Sequence, residues 1–255
     1  MGRGGWYGAV GRPAFFALPP EASHRLATAL LSLPLPWGRI GGAVRDPSIE
    51  VDLCGIGLSN PIGLAAGFDK TCRHLGALGR LGFGFVVGGT ITRAPRVGNP
   101  KPRIVRSPRR GAIVNSMGLP NPGADVAAAH LARIRRTAPR FASVADEDVD
   151  AASETVEILA PHVEGFELNA SSPNAPWRHD GAHMGTLLAA FRGRTDLPVL
   201  LKLPPFTDDQ ERHAVLDLAR AAVDAGARGL VCSNTIPVQD PRLADGRGAV
   251  PPSGS

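Results

Sequence analysis

The stretch 168-LNASSPNAPW-177 follows the apolar run 165-GFEL-168 and packs two Asn, two adjacent Ser and two Pro into eight residues. A turn needs one or two such residues. So many side-chain hydrogen-bonding groups beside a buried strand suit a loop that lines a polar ligand site. Comparable groups recur along the chain: 65-AAGFDK-70, 88-GGT-90, 202-KLP-204 and 233-SNT-235. Each is a turn by itself; their joint occurrence, each behind an apolar run, carries the functional reading.

The chemistry of the set is specific. Lys70 and Lys202 each lie close to an apolar run. A buried ammonium is costly unless an anion answers it, so both suit a ligand with a carboxylate or delocalised negative charge. Asn115, Asn169, Asn174 and Asn234 each offer one acceptor and two donors, which suits an amide- or imide-rich planar ligand such as a pyrimidine or a flavin edge. Gly67, Gly88 and Gly89 allow a flat ring close to the backbone. The seven His lie outside these groups except His179, and there is no HExxH, Walker-type loop or GxGxxG behind a strand. Zinc or serine hydrolysis and a Rossmann site are thereby disfavoured.

The elements that must position these groups alternate. Short apolar runs at 61–67, 85–91, 140–145, 165–171, 199–204 and 229–234 are separated by helical patterns at 71–81, 123–137, 147–160, 183–194 and 209–225. Five crossovers between six β-runs predict a parallel sheet and an α/β fold. The piece 50-EVDLCGIGL-58 reads as a small hairpin, and 101–119 as two short strands around 107-SPRRG-111. In a parallel α/β barrel the strand C-termini emerge on one face, where active sites sit. Every strand candidate but the third, which ends in Ser143-Val144-Ala145, would bring its polar group there.

Composition sets the outer bounds. With 255 residues, 43% hydrophobic and 20% charged, the chain is a soluble globular type able to build one large core. The net charge of +5 comes from scattered basic residues, and the densest run, 103-RIVRSPRR-110, has no aromatic residue for base stacking. No nucleic-acid partner is expected, while weak attraction to anionic lipid is compatible with that run. Cys54, Cys72 and Cys232 fit no metal or redox spacing, and an odd count without a secretory signal favours a reducing compartment. No run approaches the length of a membrane span. Residues 1–37 form a distinct segment. An apolar, aromatic stretch at 6–18 precedes 20-PEASHRLATALLSL-33, whose Pro20, Glu21 and leucines predict a short amphipathic helix, with Pro34 and Pro36 ending a helical pair. Such a pair is either a packed cap or a surface that touches a membrane or admits a hydrophobic substrate.

The ordered set AAGFDK, GGT, GNPKPR, NSMG, NxSSPN, KxxP and SNT resembles the dihydroorotate dehydrogenase family over residues 6–248. Three features are similar to its quinone-dependent class 2: Ser172 where the soluble class has Cys, the segment 15-FFALPPEASHRL-26, and GNPKPR at 98–103. The resemblance implies an α/β (β/α)₈ TIM barrel carrying FMN, with an N-terminal helical extension. It implies cofactor contacts at Ala66, Gly67, Phe68, Asp69, Lys70, Thr90, Asn169, Lys202 and Ser233. Dihydroorotate would be held by Lys70, Asn115, Ser116, Met117, Gly118, Leu119, Asn169, Asn174, Asn234 and Thr235. Ser172 would be the base at C5, and no metal is implied. A quinone would reoxidise the flavin through the N-terminal helices, placing the protein peripherally on the cytoplasmic side of the cell membrane.

The chain also departs from that pattern. Six βα units are legible where a closed barrel needs eight, and the Gly-rich turns that hold the flavin phosphate have no counterpart before 246-GRGAVPPSGS-255. The expectation is a helical segment at 1–37, a C-terminally incomplete barrel at 38–248 with exposed edges, and a disordered tail at 249–255. A truncated or frameshifted reading frame and a fragment of a longer protein would all give this pattern. Leu119 stands where an aromatic residue is usual, Thr71-Cys72 follows GFDK, and the third strand lacks an expected Asn. The alternatives are a related FMN-barrel dihydropyrimidine oxidoreductase with a nicotinamide or iron–sulfur partner, and a non-catalytic remnant.

Overall fold

The computed structural model describes residues 7–41, 44, 46–146, 148–171, 181–236 and 238, with Arg109 described by its backbone alone. The predicted tail at 249–255 lies outside them. After a π-helical turn at Tyr7–Gly11 come three short helices: α1 (Arg12–Ala17), α2 (Pro20–Leu31) and α3 (Trp37–Gly41). Pro20 opens α2 at a position whose N–H needs no partner, and Glu21 lies in its positive first turn. The expected helical pair is thus present, and α3 adds a third helix just beyond Pro34 and Pro36.

Next come β1 (Val51–Leu53) and β2 (Ile56–Leu58), paired antiparallel with Val51 opposite Leu58. Asp52 Oδ1 accepts from the Gly55 amide at 2.8 Å and closes the turn. The barrel proper follows as β3 (Gly63–Leu64), α4 (Leu75–Arg80) and β4 (Phe85–Ile91). A hairpin of β5 (Ile104–Ser107) and β6 (Ala112–Asn115) interrupts the next crossover, as its sequence predicts. The chain resumes with α5 (Ala124–Arg133), β7 (Arg140–Val144), α6 (Val149–Leu159), β8 (Gly165–Asn169), α7 (Gly181–Arg192), β9 (Val199–Lys202), α8 (Asp209–Asp224) and β10 (Gly229–Val231). Asp148 and Asp208 cap α6 and α8, accepting from the Ala151 and Glu211 amides.

The six main strands form one parallel sheet in the order β3-β4-β7-β8-β9-β10. Its described edges are β3 and β10, so the expected incomplete barrel is what the strands build. Side chains alternate between two environments. Val86, Ala142, Val144, Phe166, Leu168 and Leu201 face the helices and form the main core with residues such as Leu75, Leu131, Leu159 and Phe191. Val87, Phe141 and Leu200 face the other way and fill the barrel interior with Phe85, Val231 and, from the hairpin, Leu53 and Ile56. Phe85 meets Phe141 edge to face at 5.8 Å. Burying one such ring contributes roughly 1.5–3 kcal/mol. This apolar plug closes the N-terminal end, so polar side chains further along the same strands lie towards the C-terminal end.

Two helices are shorter than expected: α5 ends at Arg133 rather than at 137, and α4 starts late. The pattern at 71–81 predicts a helix throughout, yet α4 begins only at Leu75. The carboxylate of Asp69 accounts for this by accepting from the amides of Thr71, Arg73 and His74, the last at 2.6 Å. These bonds fold 71–74 as a turn.

Candidate active site

The polar site begins at Thr90, on the inward face of β4. Its Oγ1 lies 3.0 Å from Ser143 Oγ on β7 and accepts from Asn169 Nδ2 on β8 at 2.9 Å. Asn169 Oδ1 accepts from Ser171 Oγ at 2.7 Å, and Asn234 Nδ2 donates to the same Ser171 Oγ at 2.9 Å. Asn234 Oδ1 then accepts from the Thr235 amide at 2.8 Å. One chain of bonds therefore runs from β7 through β4 and β8 to the segment after β10. Ser143 and Ser171 are absent from the residues expected from sequence. Ser143 was legible, because it lies two residues beyond inward-facing Phe141; it occupies the strand end where an Asn was sought. Ser171 belongs to the NxSSPN motif itself.

The second feature is cationic. Lys70 is largely buried, and its Nζ donates to the Gly67 carbonyl at 2.5 Å. Burial, followed by the nearby charges of Arg103 and Lys202, lowers its pKa to about 8. Arg103 and Lys202 thus both lie within electrostatic reach of Lys70. Arg103 Nη1 donates to the Val97 and Asn99 carbonyls, and its Nε stands 3.9 Å from Glu21 of α2. Lys202 Nζ stands 3.6 Å from Glu167 Oε1 on the neighbouring strand, with both side chains buried. Glu167 Oε1 makes no hydrogen bond among the described residues. Removing a carboxylate from water costs several kcal/mol, roughly, which an ion pair alone rarely repays. Glu167 was missed from sequence, although it precedes Asn169 by two positions on the same strand face.

The backbone provides the flat surface. Gly67 and Gly89 both have positive φ, at 105° and 107°, and are bonded Gly67 N to Gly89 O at 2.9 Å. A Cβ on Gly89 would lie 2.6 Å from the Ser143 carbonyl, so only glycine fits. Ala66 packs on the interior plug, and Phe68 packs against the core and edge-on to His24 at 5.3 Å. Asp69, a residue expected at the cofactor, directs its carboxylate into the 71–74 turn, where it shapes the loop. Ser116 is buried, its Oγ without a partner among the described residues, between half-buried Asn115 and the Met117-Gly118-Leu119 turn. Gly118 and Leu119 both take positive φ, and the Met117 carbonyl accepts from the Asn99 amide at 2.9 Å. Ser233 and Thr235 are exposed, with Ser233 Oγ donating to the Asn234 carbonyl at 2.9 Å. Ser172 and Asn174 lie outside the described residues, as does His179.

The N-terminal helices dock directly on this site. His24 Nε2 bonds the Phe68 carbonyl at 2.8 Å. Glu21 faces Arg103 and Lys101, and Arg106 of β5 donates to the carbonyls of Phe15 and Leu18. Among the described residues no helix is long and apolar enough to cross a membrane.

An incomplete parallel α/β barrel whose strand C-termini present amides, hydroxyls and lysines is the frame of a cofactor-dependent barrel enzyme. Comparison with known proteins makes this specific. The sequence model of the dihydroorotate dehydrogenase family matches residues 48–243, and the chain belongs to that family. It is 40% identical over 242 residues to the dihydroorotate dehydrogenase (quinone) of Thermus thermophilus, covering 86% of this chain and 68% of the relative. It is 37% identical over 257 residues to the enzyme of that name from Mycolicibacterium paratuberculosis, covering 93% of this chain and 68% of the relative. Among solved structures, Eimeria tenella DHODH in complex with ferulenol superimposes with a TM-score of 0.74 at 27% identity, covering 87% of this chain and 68% of the other.

The family is flavin-dependent. The residues present fit such a group: a side-chain-free surface at Gly67 and Gly89, then the hydroxyl of Thr90, the amide of Asn169 and the ammonium of Lys202. These are partners for a flat ring edged with carbonyl and imide groups.

Proposed function

We propose that this chain oxidises (S)-dihydroorotate to orotate, with FMN as its flavin and a quinone as final acceptor, in de novo synthesis of UMP. The observation that carries this reading is that Lys202, within electrostatic reach of Lys70, pairs in register with Asn169 of the Thr90–Asn169–Ser171–Asn234 chain. Such a site calls for a ligand that is both anionic and amide-rich, and dihydroorotate is a cyclic imide bearing a carboxylate.

FMN would be held by Ala66, Gly67, Phe68, Asp69, Lys70, Thr90, Asn169, Lys202 and Ser233, with Asp69 acting through the fold of its loop. When bound it supplies the two-electron acceptor for the hydride that leaves C6. Asn115, Asn169, Asn174, Asn234 and Thr235 would orient the substrate's polar edges, with the 116–119 turn beside them. Lys70 neutralises the substrate anion, and the amide donors stabilise the negative charge that builds as the C5 proton leaves. Ser172 accepts that proton. A hydroxyl is a weak base near neutrality, so Ser172 must pass the proton on within the site. Loss of the C5 proton and the C6 hydride leaves the C5–C6 double bond of orotate.

The N-terminal helices would serve the second half-reaction. Tyr7, Val10, Phe16, Leu26, Leu33 and Leu35 are exposed on or beside α1 and α2. They suit peripheral contact with the cytoplasmic face of the cell membrane and entry of a hydrophobic quinone. A turnover assay of the FMN-loaded chain tests the reading. It predicts orotate formation with a quinone and little with nicotinamide cofactors; no orotate with any acceptor would reject it.

A further inference from the structure

Behind the 69–74 loop, away from the strand ends, a cleft of about 480 Å³ opens between α2–α3 and α4–α5. Arg73, Arg80, Arg133 and Arg135 line it together with His74 and His130, and no acidic side chain does among the described residues. The four guanidiniums make no hydrogen bond or ion pair among the described residues. This sets them apart from Arg93, Arg136 and Arg194, each of which meets a carboxylate within 3 Å. Like charges gathered round a partly enclosed cleft repel, and an anion relieves the repulsion more effectively there than in open solvent.

We infer that this cleft is a binding site for an anionic phosphate group. Several guanidinium forks match phosphate geometry and charge better than they match a single carboxylate. The floor is firmly built. His130 Nδ1 bonds the Thr71 carbonyl at 2.8 Å, and the His74 amide donates to Asp69 Oδ2. Burial holds the His74 imidazole below its ordinary pKa, with smaller additions from Arg73, His130 and His24 working against Asp69. The opposite wall is apolar, with Leu31, Leu33 and Trp37. A phosphate reaches this wall either as a lipid headgroup, whose chains would lie along exposed Leu33, Leu35 and Ile40, or as a soluble phosphate ester. The inference is independent of the redox reading above.

The test uses the full chain without substrate or quinone. The probes are inorganic phosphate and glycerol 3-phosphate by calorimetry, and phosphatidylglycerol against phosphatidylcholine vesicles by flotation. The cleft variant R73A/R133A/R135A is compared with R194A/R212A/R220A, which removes the same charge from exposed arginines elsewhere. The cleft variant should weaken binding of whichever phosphate probe binds by at least about tenfold, the scale of one charge-assisted contact, while the control stays within about twofold. Glycerol 3-phosphate binding assigns a soluble ester; binding to phosphatidylglycerol vesicles alone assigns the headgroup. Failure of every probe to bind, or equal losses in both variants, overturns the site. All six arginines are largely exposed, so equal melting temperatures will show that the fold is intact.

Discussion

Asn169 donates its side-chain amide to Thr90 Oγ1 at 2.9 Å, tying two strands whose residues lie 79 positions apart. Both side chains are buried, so the bond cannot be replaced by bulk water. Asn169→Ala strands the Ser171 hydroxyl and one lone pair of Thr90. The expected loss is about 1–3 kcal/mol of stability, with weaker flavin retention. Denaturant unfolding and flavin content after gel filtration will check both; an unchanged midpoint would remove Asn169 from its place in the chain of bonds.

Lys70 carries a pH prediction. Its pKa is lowered to about 8, below the unfolded value. The folded chain therefore binds fewer protons than the unfolded chain between about pH 8 and the ordinary lysine range. The Lys70 contribution to stability rises with pH across that window, and its destabilising effect is fully present below it. An anionic substrate raises this pKa, so dihydroorotate affinity should be flat below about pH 8 and fall above it. Titrations in steps of pH will show this, and Lys70→Met should flatten the curve.

Glu167 and Lys202 are predicted to be interdependent. Glu167→Gln leaves a buried ammonium without its counter-charge and should cost roughly 3–5 kcal/mol. The double variant Glu167→Leu with Lys202→Met should regain most of this while losing flavin affinity. If the double variant is as unstable as the single, the ion pair is not the source of the effect.

Ser172→Ala should keep flavin bound and slow dihydroorotate-driven flavin reduction by about 10²–10⁴-fold, the usual contribution of a positioned base. Rapid-mixing absorbance measures this directly. Wild-type reduction rates would take the base role away from Ser172.

Deleting residues 1–37 should leave flavin reduction largely intact and slow reoxidation by quinone. Docking of His24 on Phe68 and of Glu21 beside Arg103 makes some loss of stability expected as well. Comparing the two half-reactions separates these effects, and unchanged quinone kinetics would leave the helices as a packed cap.

The barrel was legible because its strands are apolar runs bounded by turn formers, and all six lie where the pattern puts them. The interrupting hairpin was legible for the same reason, from 107-SPRRG-111. The start of α4 was not, because helix periodicity cannot reveal that Asp69 binds three amides ahead of it. Of the site, the motif-borne residues Thr90, Asn169 and Asn234 were found, and the structure joins them. Ser143 and Glu167 belong to no motif and emerge from strand parity. Arg103 closes the GNPKPR motif, yet its role was not legible there, since only the fold brings it near Lys70.

The most direct test of the central claim is the visible absorbance of the FMN-loaded chain under anaerobic conditions, before and after adding dihydroorotate. The account predicts that the flavin band bleaches and that orotate appears in equal amount. A bound flavin that stays oxidised with excess dihydroorotate would contradict it.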